Sequence, residues 1–134
     1  MNTFTIQETE GGRRPGILIP LSQVLEKIDC SSVKLWALRD IEFTSRDALF
    51  GVAVPDIERM SSALSHGLYL AGSDFSVFIK IHYQILEGYI EAYQSVDTKL
   101  FSNFCHDTTL WEITTSDPGV TRDLCDKGYT YDVE

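Results

Sequence analysis

The chain has 134 residues, of which 43% are hydrophobic and 23% charged, with 20 acidic and 11 basic side chains and a formal net charge of −9. This composition is typical of a globular protein, and the length predicts a single domain over residues 1–134. The negative charge argues against nucleic acid as a partner, because phosphates require a basic surface. The longest apolar stretches are too short to span a bilayer, so we expect no contact with a membrane.

Most of the negative charge lies in the second part of the chain. Eleven acidic and four basic residues lie between Asp74 and Glu134, so this part carries −7 of the total −9. A one-sided charge speeds association with a partner of opposite sign and does not bear on the fold. The three cysteines form no C-x-x-C pair and the N-terminus lacks a basic and apolar leader, which favours reduced thiols in the cytoplasm.

The first half of the chain predicts two strands and two helices. Thr3 to Glu8 alternates between polar and apolar side chains as a strand does, and the Gly- and Arg-rich segment 11–16 predicts a loop. Apolar residues then recur with helical spacing from Leu21 to Ile28 and with strand spacing from Val33 to Phe43. A second helix is predicted to begin at Pro55 and to end at Gly67.

The clearest alternation of the whole sequence comes next. Phe75 to Ile85 is apolar at nearly every second position, which predicts a half-buried strand of an antiparallel sheet. Glu87-Gly88 then suits a turn into a strand over Tyr89 to Gln94. The two segments are therefore predicted to form a hairpin.

The remaining segments predict a second hairpin and a last helix. The hairpin joins residues 99–105 to 108–115 through a turn at His106-Asp107. Asp117-Pro118-Gly119 begins a short helix, and Tyr129 to Val133 could add an edge strand. Because the strands come in runs, the sequence predicts an α+β fold: an antiparallel or mixed β-sheet of hairpins with two to three short helices packed mainly on one face.

Catalytic and metal chemistry find little support in the sequence. Cys105, His106 and Asp107 are adjacent, but neighbours on a strand point to opposite faces, whereas a nucleophile usually meets its base across the fold. We therefore interpret Cys105 as a small core residue. The three histidines have no metal-ligand spacing, and the glycines match no phosphate-binding loop. We expect no enzymatic activity, no metal and no cofactor.

A contact surface is the more promising feature. Tyr89, Glu91 and Tyr93 project from one face of their predicted strand, and tyrosine is enriched at binding hot spots. The carboxylate between them could meet an arginine or lysine of a partner. The alternative is that the tyrosines pack beneath a helix while Glu91 faces water.

The C-terminal part resembles small bacterial immunity proteins of contact-dependent and other polymorphic toxin systems. The resemblance lies in Gln84–Tyr93, in Asp107–Asp117 with its central Trp-Glu-Ile, and in a capped helix around Leu124. It covers about a third of the chain and implies a small, acidic, cytoplasmic protein that neutralises one cognate toxin, often a basic nuclease, by binding it. No contact residue follows from the resemblance itself.

Three functional hypotheses follow. The first is an immunity protein that occludes the active site of a cognate basic toxin, with carboxylates in place of the substrate's phosphates and aromatic side chains as anchors. Its predicted contact residues are Glu87, Tyr89, Glu91, Tyr93, Asp97, Asp107, Glu112 and Asp117. The second is a structural or regulatory module that pairs with itself through the edge strand, and the third is an enzyme or small-ligand binder with a pocket between sheet and helices.

Overall fold

A computed structural model describes residues 1–9, 17–44, 54–80 and 84–133 of the chain. The loop predicted over 11–16 lies outside these ranges. The helices are α1 (Leu21–Leu25), α2 (Val54–Ala63), α3 (Gly72–Lys80) and α4 (Pro118–Asp126). The strands are β1 (Asn2–Ile6), β2 (Leu35–Thr44), β3 (Leu68–Ala71), β4 (Gln84–Ser95), β5 (Thr98–His106), β6 (Leu110–Thr115) and β7 (Tyr131–Val133).

The seven strands form one antiparallel sheet in the order β3-β2-β4-β5-β6-β1-β7. The α+β prediction is therefore confirmed, with one helix more in the described ranges than the two to three expected. The strand that begins the chain inserts between β6 and β7, so the two ends of the chain meet at one edge of the sheet. No helix in the described ranges is long and apolar enough to cross a membrane.

The segment from Phe75 to Ile85 differs from its prediction. Residues 72–80 form helix α3 instead of a strand, and residues 81–83 lie outside the described ranges. Phe75 and Phe78 are both 3% exposed, and they lie three residues apart, on one face of the helix. The Phe75 ring stacks on Trp36 at a centroid distance of 3.9 Å. Tertiary packing thus outweighs the strand-like alternation, whose β-branched Val77 is 48% exposed.

The turn predicted at Glu87-Gly88 is also wrong, because β4 runs through it without a break. Gly88 adopts a φ of +132°, and a Cβ there would lie 2.6 Å from the Cα of Ile41. The pairing of β2 with β4 shifts register between Arg39 and Glu42, and Asp40 has a φ of 50°. The glycine is therefore required where an irregular stretch of β2 approaches β4 closely.

The C-terminal third follows its prediction. Strands β5 and β6 form the second hairpin, and the turn between them is closed by the Thr109 N–H donating to the His106 carbonyl at 2.8 Å. The Asp117 side chain caps α4 by accepting a hydrogen bond from the Val120 N–H at 3.1 Å. Strand β7 is the edge strand expected near the end of the chain.

The two faces of the sheet differ in composition. One face, the apolar face, packs in a single core with the buried residues of all four helices. Its strand residues include Phe4, Trp36, Leu38, Ile90, Ala92, Phe101, Cys105, Trp111 and Ile113. The opposite face, the polar face, carries the alternate positions, which the strand registers place side by side. The polar face comprises Arg39, Tyr69, Tyr89, Glu91, Tyr93, Lys99, Phe104, His106 and Glu112.

Candidate functional site

The side chains of the polar face form a continuous row of contacts across five neighbouring strands. The row runs from Tyr69 on β3 to Glu112 on β6. It combines charged and aromatic groups, and most of its members are half-buried or exposed. We therefore take this row as the candidate functional site.

Glu91 lies at the centre of the row. Its carboxylate accepts a hydrogen bond from Arg39 Nε at 2.9 Å and forms an ion pair with Lys99 Nζ at 2.6 Å. Burial raises the pKa of Glu91, but the Arg39 hydrogen bond and the Lys99 ammonium outweigh it and hold the pKa below its ordinary value. Glu91 is therefore a charged group inside the row.

Tyr89 is held between two neighbours. The Arg39 guanidinium lies 3.8 Å from its ring centroid, and the Phe104 ring stacks against it at 4.3 Å with an interplanar angle of 27°. Since Arg39 is on β2 and Phe104 on β5, the two contacts come from opposite sides of β4. Both ring faces are occupied, so only the edge of the Tyr89 ring is open to further contacts.

Four carboxylates gather at one end of the polar face. We call Asp40, Glu42, Glu87 and Asp107 the acidic end. Glu42 and Glu87 are directly opposite each other in the β2–β4 register. Asp107 is brought to the same end because the Thr108 N–H donates to the Leu86 carbonyl at 2.9 Å. Burial raises the pKa of the Cys105 thiol, and the charges of Glu87 and Asp107 raise it further.

The acidic end is exposed and nearly free of cations. Among the described residues, its only ion pair is a 3.7 Å contact between Arg39 and Asp40. Like charges directly opposite each other in a sheet are destabilising. The repulsion between Glu42 and Glu87 therefore does not contribute to the stability of the fold.

The structure brings together only some of the eight predicted contact residues. Tyr89, Glu91, Tyr93 and Glu112 share the polar face, and Glu87 and Asp107 lie at the acidic end. Glu91 and Tyr93, however, are only 2% and 8% exposed. Glu112 is paired with His106 at 2.8 Å. Tyr89, Glu87 and Asp107 thus remain as the accessible members of the group.

The other two predicted contact residues lie apart. Asp97 and Asp107 flank β5 at its opposite ends, about 30 Å apart for a strand of this length. Asp117 is engaged as the N-cap of α4. The acidic residues of the second part of the chain are therefore spread over the molecule instead of forming one patch.

Neighbouring Cys105, His106 and Asp107 do not form a catalytic group. Cys105 is fully buried on the apolar face, where its thiol donates to the Ile85 carbonyl, while His106 lies on the polar face. The interpretation of Cys105 as a core residue is confirmed. No group of three or more His, Cys, Asp or Glu side chains in the described ranges is placed to hold a metal ion.

Sequence reasoning missed five members of the row, namely Arg39, Tyr69, Lys99, Phe104 and His106. Two of them left a signal. Arg39 is the one charged residue among the alternate apolar positions of β2, and Phe104 is an aromatic residue out of phase with the buried Phe101 and Cys105. In each of the two strands, the residue that breaks the alternation lies on the polar face. The lysine left no such signal.

Comparisons with known proteins return no relative. No family model matches the sequence, and the searches of curated proteins and of solved structures found no match.

Proposed function

We propose that this protein is an immunity protein that binds a cognate basic toxin of the nuclease type and occludes its active site. The observation that carries the proposal is the acidic end beside the Tyr89–Phe104 stack. Exposed carboxylates, of which only Asp40 has an ion pair among the described residues, lie next to half-buried aromatic rings, and such a combination supplies both electrostatic steering and a packed anchor.

Each part of this surface has a distinct role in the proposed complex. The carboxylates of Glu87 and Asp107 occupy the positions that substrate phosphates take in a basic cleft, and they accelerate encounter at low salt. The edges of Tyr89 and Phe104 pack against the partner and slow its release. Because both faces of Tyr89 are already covered, the ring offers no platform for a stacked nucleobase, which favours a protein partner over a nucleic acid.

Two charge-reversed proteins test the proposal. The first carries Glu87→Lys and Asp107→Lys at the acidic end. The matched control carries Glu26→Lys and Asp126→Lys, which are exposed at the C-terminal ends of α1 and α4, where a cation is tolerated. The two proteins have the same net charge and differ only in where it lies.

Each tagged protein is used to capture partners from lysate of the source cells at low and high salt. We expect the wild type and the control to retain one basic protein, and the acidic-end variant to retain it at least about tenfold less. The captured protein, expressed alone, should stop growth, and co-expression with the wild type should restore it. Equal capture by both variants, or a captured protein that leaves growth unaffected, would contradict the proposal.

A second candidate function is self-association through β7. Among the strands that the structure describes, this edge strand pairs with β1 alone, and its Tyr131 and Val133 are 41% and 74% exposed. Its length of three residues limits the number of hydrogen bonds that a second copy could add. Sedimentation of the wild type and of Val133→Lys over a range of concentrations distinguishes the two functions, since a dimer through β7 would be lost in the variant.

A further inference from the structure

Glu91 is buried, whereas most of the other side chains in the row on the polar face are half-buried or exposed. Only 2% of its side chain is exposed, although the core residues that pack against the helices lie on the opposite face of the sheet. The cross-strand neighbours of Glu91 are Ala37 and Ser102, both of them small. The space above these small residues admits the longer side chains of Arg39 and Lys99, which reach the carboxylate.

Both cations that bind Glu91 also contact a tyrosine. Arg39 lies over the ring of Tyr89 at 3.8 Å, and Lys99 lies over the ring of Tyr93 at 5.8 Å. A cation over an aromatic face is attracted by the ring, and the carboxylate fixes where each cation sits. Through these contacts, Glu91 is linked to the aromatic residues on either side of it.

The links continue outward from the tyrosines. Tyr89 stacks on Phe104, whose ring contacts His106 edge-on at 4.2 Å. On the other side, Tyr93 meets Tyr69 at a centroid distance of 6.2 Å. A single carboxylate thus anchors an array that spans the polar face.

We propose that Glu91 is a positioning residue: it does not touch the partner, and it holds Arg39 against Tyr89 so that the Tyr89–Phe104 stack is oriented before binding. This inference rests on the proposed function and changes the role of Glu91 from a contact to a support. A preoriented aromatic anchor loses less conformational freedom on association, so its loss is expected to raise the dissociation rate. The association rate, which depends on exposed charge, is expected to change little.

The free protein provides the first test. Glu91→Gln keeps the size of the side chain and removes its charge, and Glu26→Gln makes the same change of charge at an exposed position. Because the Arg39 guanidinium lies 3.8 Å from the Tyr89 ring centroid, we expect the ring to shift the Arg39 side-chain protons upfield in nuclear magnetic resonance spectra. We expect this shift to be lost in Glu91→Gln and kept in Glu26→Gln. Retention of the shift in Glu91→Gln would overturn the inference, whatever the partner.

Arg39→Gln provides a second variant, because it removes the cation of the Arg39–Glu91 ion pair. We expect the Tyr89 ring protons to shift in the same direction in Arg39→Gln and in Glu91→Gln. Opposite or unrelated shifts would show that the carboxylate does not act on Tyr89 through Arg39, and would contradict the inference.

Kinetics with the captured partner provide the decisive test. We expect Glu91→Gln to raise the dissociation rate about tenfold and Tyr89→Leu to raise it at least as much. If Glu91 acts through Tyr89, the double variant dissociates no faster than Tyr89→Leu alone. If the two substitutions instead multiply each other's effect on the dissociation rate, Glu91 contacts the partner and the inference is overturned.

A wild type that captures no basic protein would refute the proposed function, while the spectra of the free protein would still decide whether Glu91 orients the row.

Discussion

The two faces of the sheet are built from the same strands, but different kinds of contact hold their side chains in place. On β5, Phe101 is 1% exposed and meets Trp36 at 5.9 Å within the core, while Phe104, three residues later, stacks on Tyr89 on the polar face. The apolar face obtains its order from burial against four helices. The polar face obtains it from ion pairs and ring contacts among its own side chains. The comparison shows that side chains on a sheet surface can be held in place by contacts with one another, without being part of the hydrophobic core.

The largest expected effect is a difference in the free energy of unfolding between substitutions of Phe101 and of Phe104. Phe101→Ala leaves a cavity in the core and should reduce the free energy of unfolding by about 3–5 kcal/mol. Phe104→Ala, on the half-buried row, should reduce it by about 1–2 kcal/mol, because less apolar surface returns to water. Urea denaturation of both variants measures the difference. Equal losses would mean that the polar face is a second core.

An intermediate effect concerns Glu91 and pH. Glu91→Gln should lower the free energy of unfolding by about 1–2 kcal/mol at pH 7, a reduced figure because Arg39 and Lys99 are partly exposed. The pKa of Glu91 in the folded protein lies below its ordinary value of 4.5. Its contribution is therefore complete above pH 4.5 and is lost as the pH falls through the lower, folded value.

The measurement is the difference in the free energy of unfolding between wild type and Glu91→Gln from pH 7 to pH 3. All other carboxyl groups are common to the two proteins, so the difference in the free energy of unfolding reports the contribution of Glu91 alone. We expect it to stay constant down to about pH 5 and to shrink below. A difference that is the same at both ends of the range would show that Glu91 does not stabilise the row through its charge.

The smallest effect concerns Asp117. Asp117→Ala removes the N-cap of α4 and should cost about 1 kcal/mol of stability, with capture of the partner unchanged. Thermal unfolding and the capture assay measure the two quantities. Weaker capture with unaltered stability would indicate that Asp117 contacts the partner, as the sequence analysis predicted.

The sequence predicted the fold where local signals and packing agree. The Asp117-Pro118-Gly119 start of α4 and the turn of the β5–β6 hairpin are local features, and both are confirmed. The segment 75–80 fits a helix as well as a strand, because Phe75, Phe78 and Ile79 also lie on one helical face. The stacking of Phe75 on Trp36, which no local pattern contains, decides in favour of the helix.

The candidate site was predictable only in part for a similar reason. The alternation of β4 placed Tyr89, Glu91 and Tyr93 on one face, as the structure does. Whether a carboxylate on that face is exposed depends on the residues of neighbouring strands. Glu91 is covered because Arg39 and Lys99 reach it from β2 and β5, and the order of the strands was not available from the sequence.

Labelling of carboxylates in the free protein and in its complex tests the central claim most directly. A carbodiimide with an amine modifies exposed Asp and Glu side chains, and mass spectrometry gives the extent at each residue. We expect the captured basic partner to protect Glu87 and Asp107 while Glu26 and Asp126 are labelled equally in both states. Unchanged labelling at Glu87 and Asp107, with protection on the helical side, would contradict the assignment of the polar face as the binding surface.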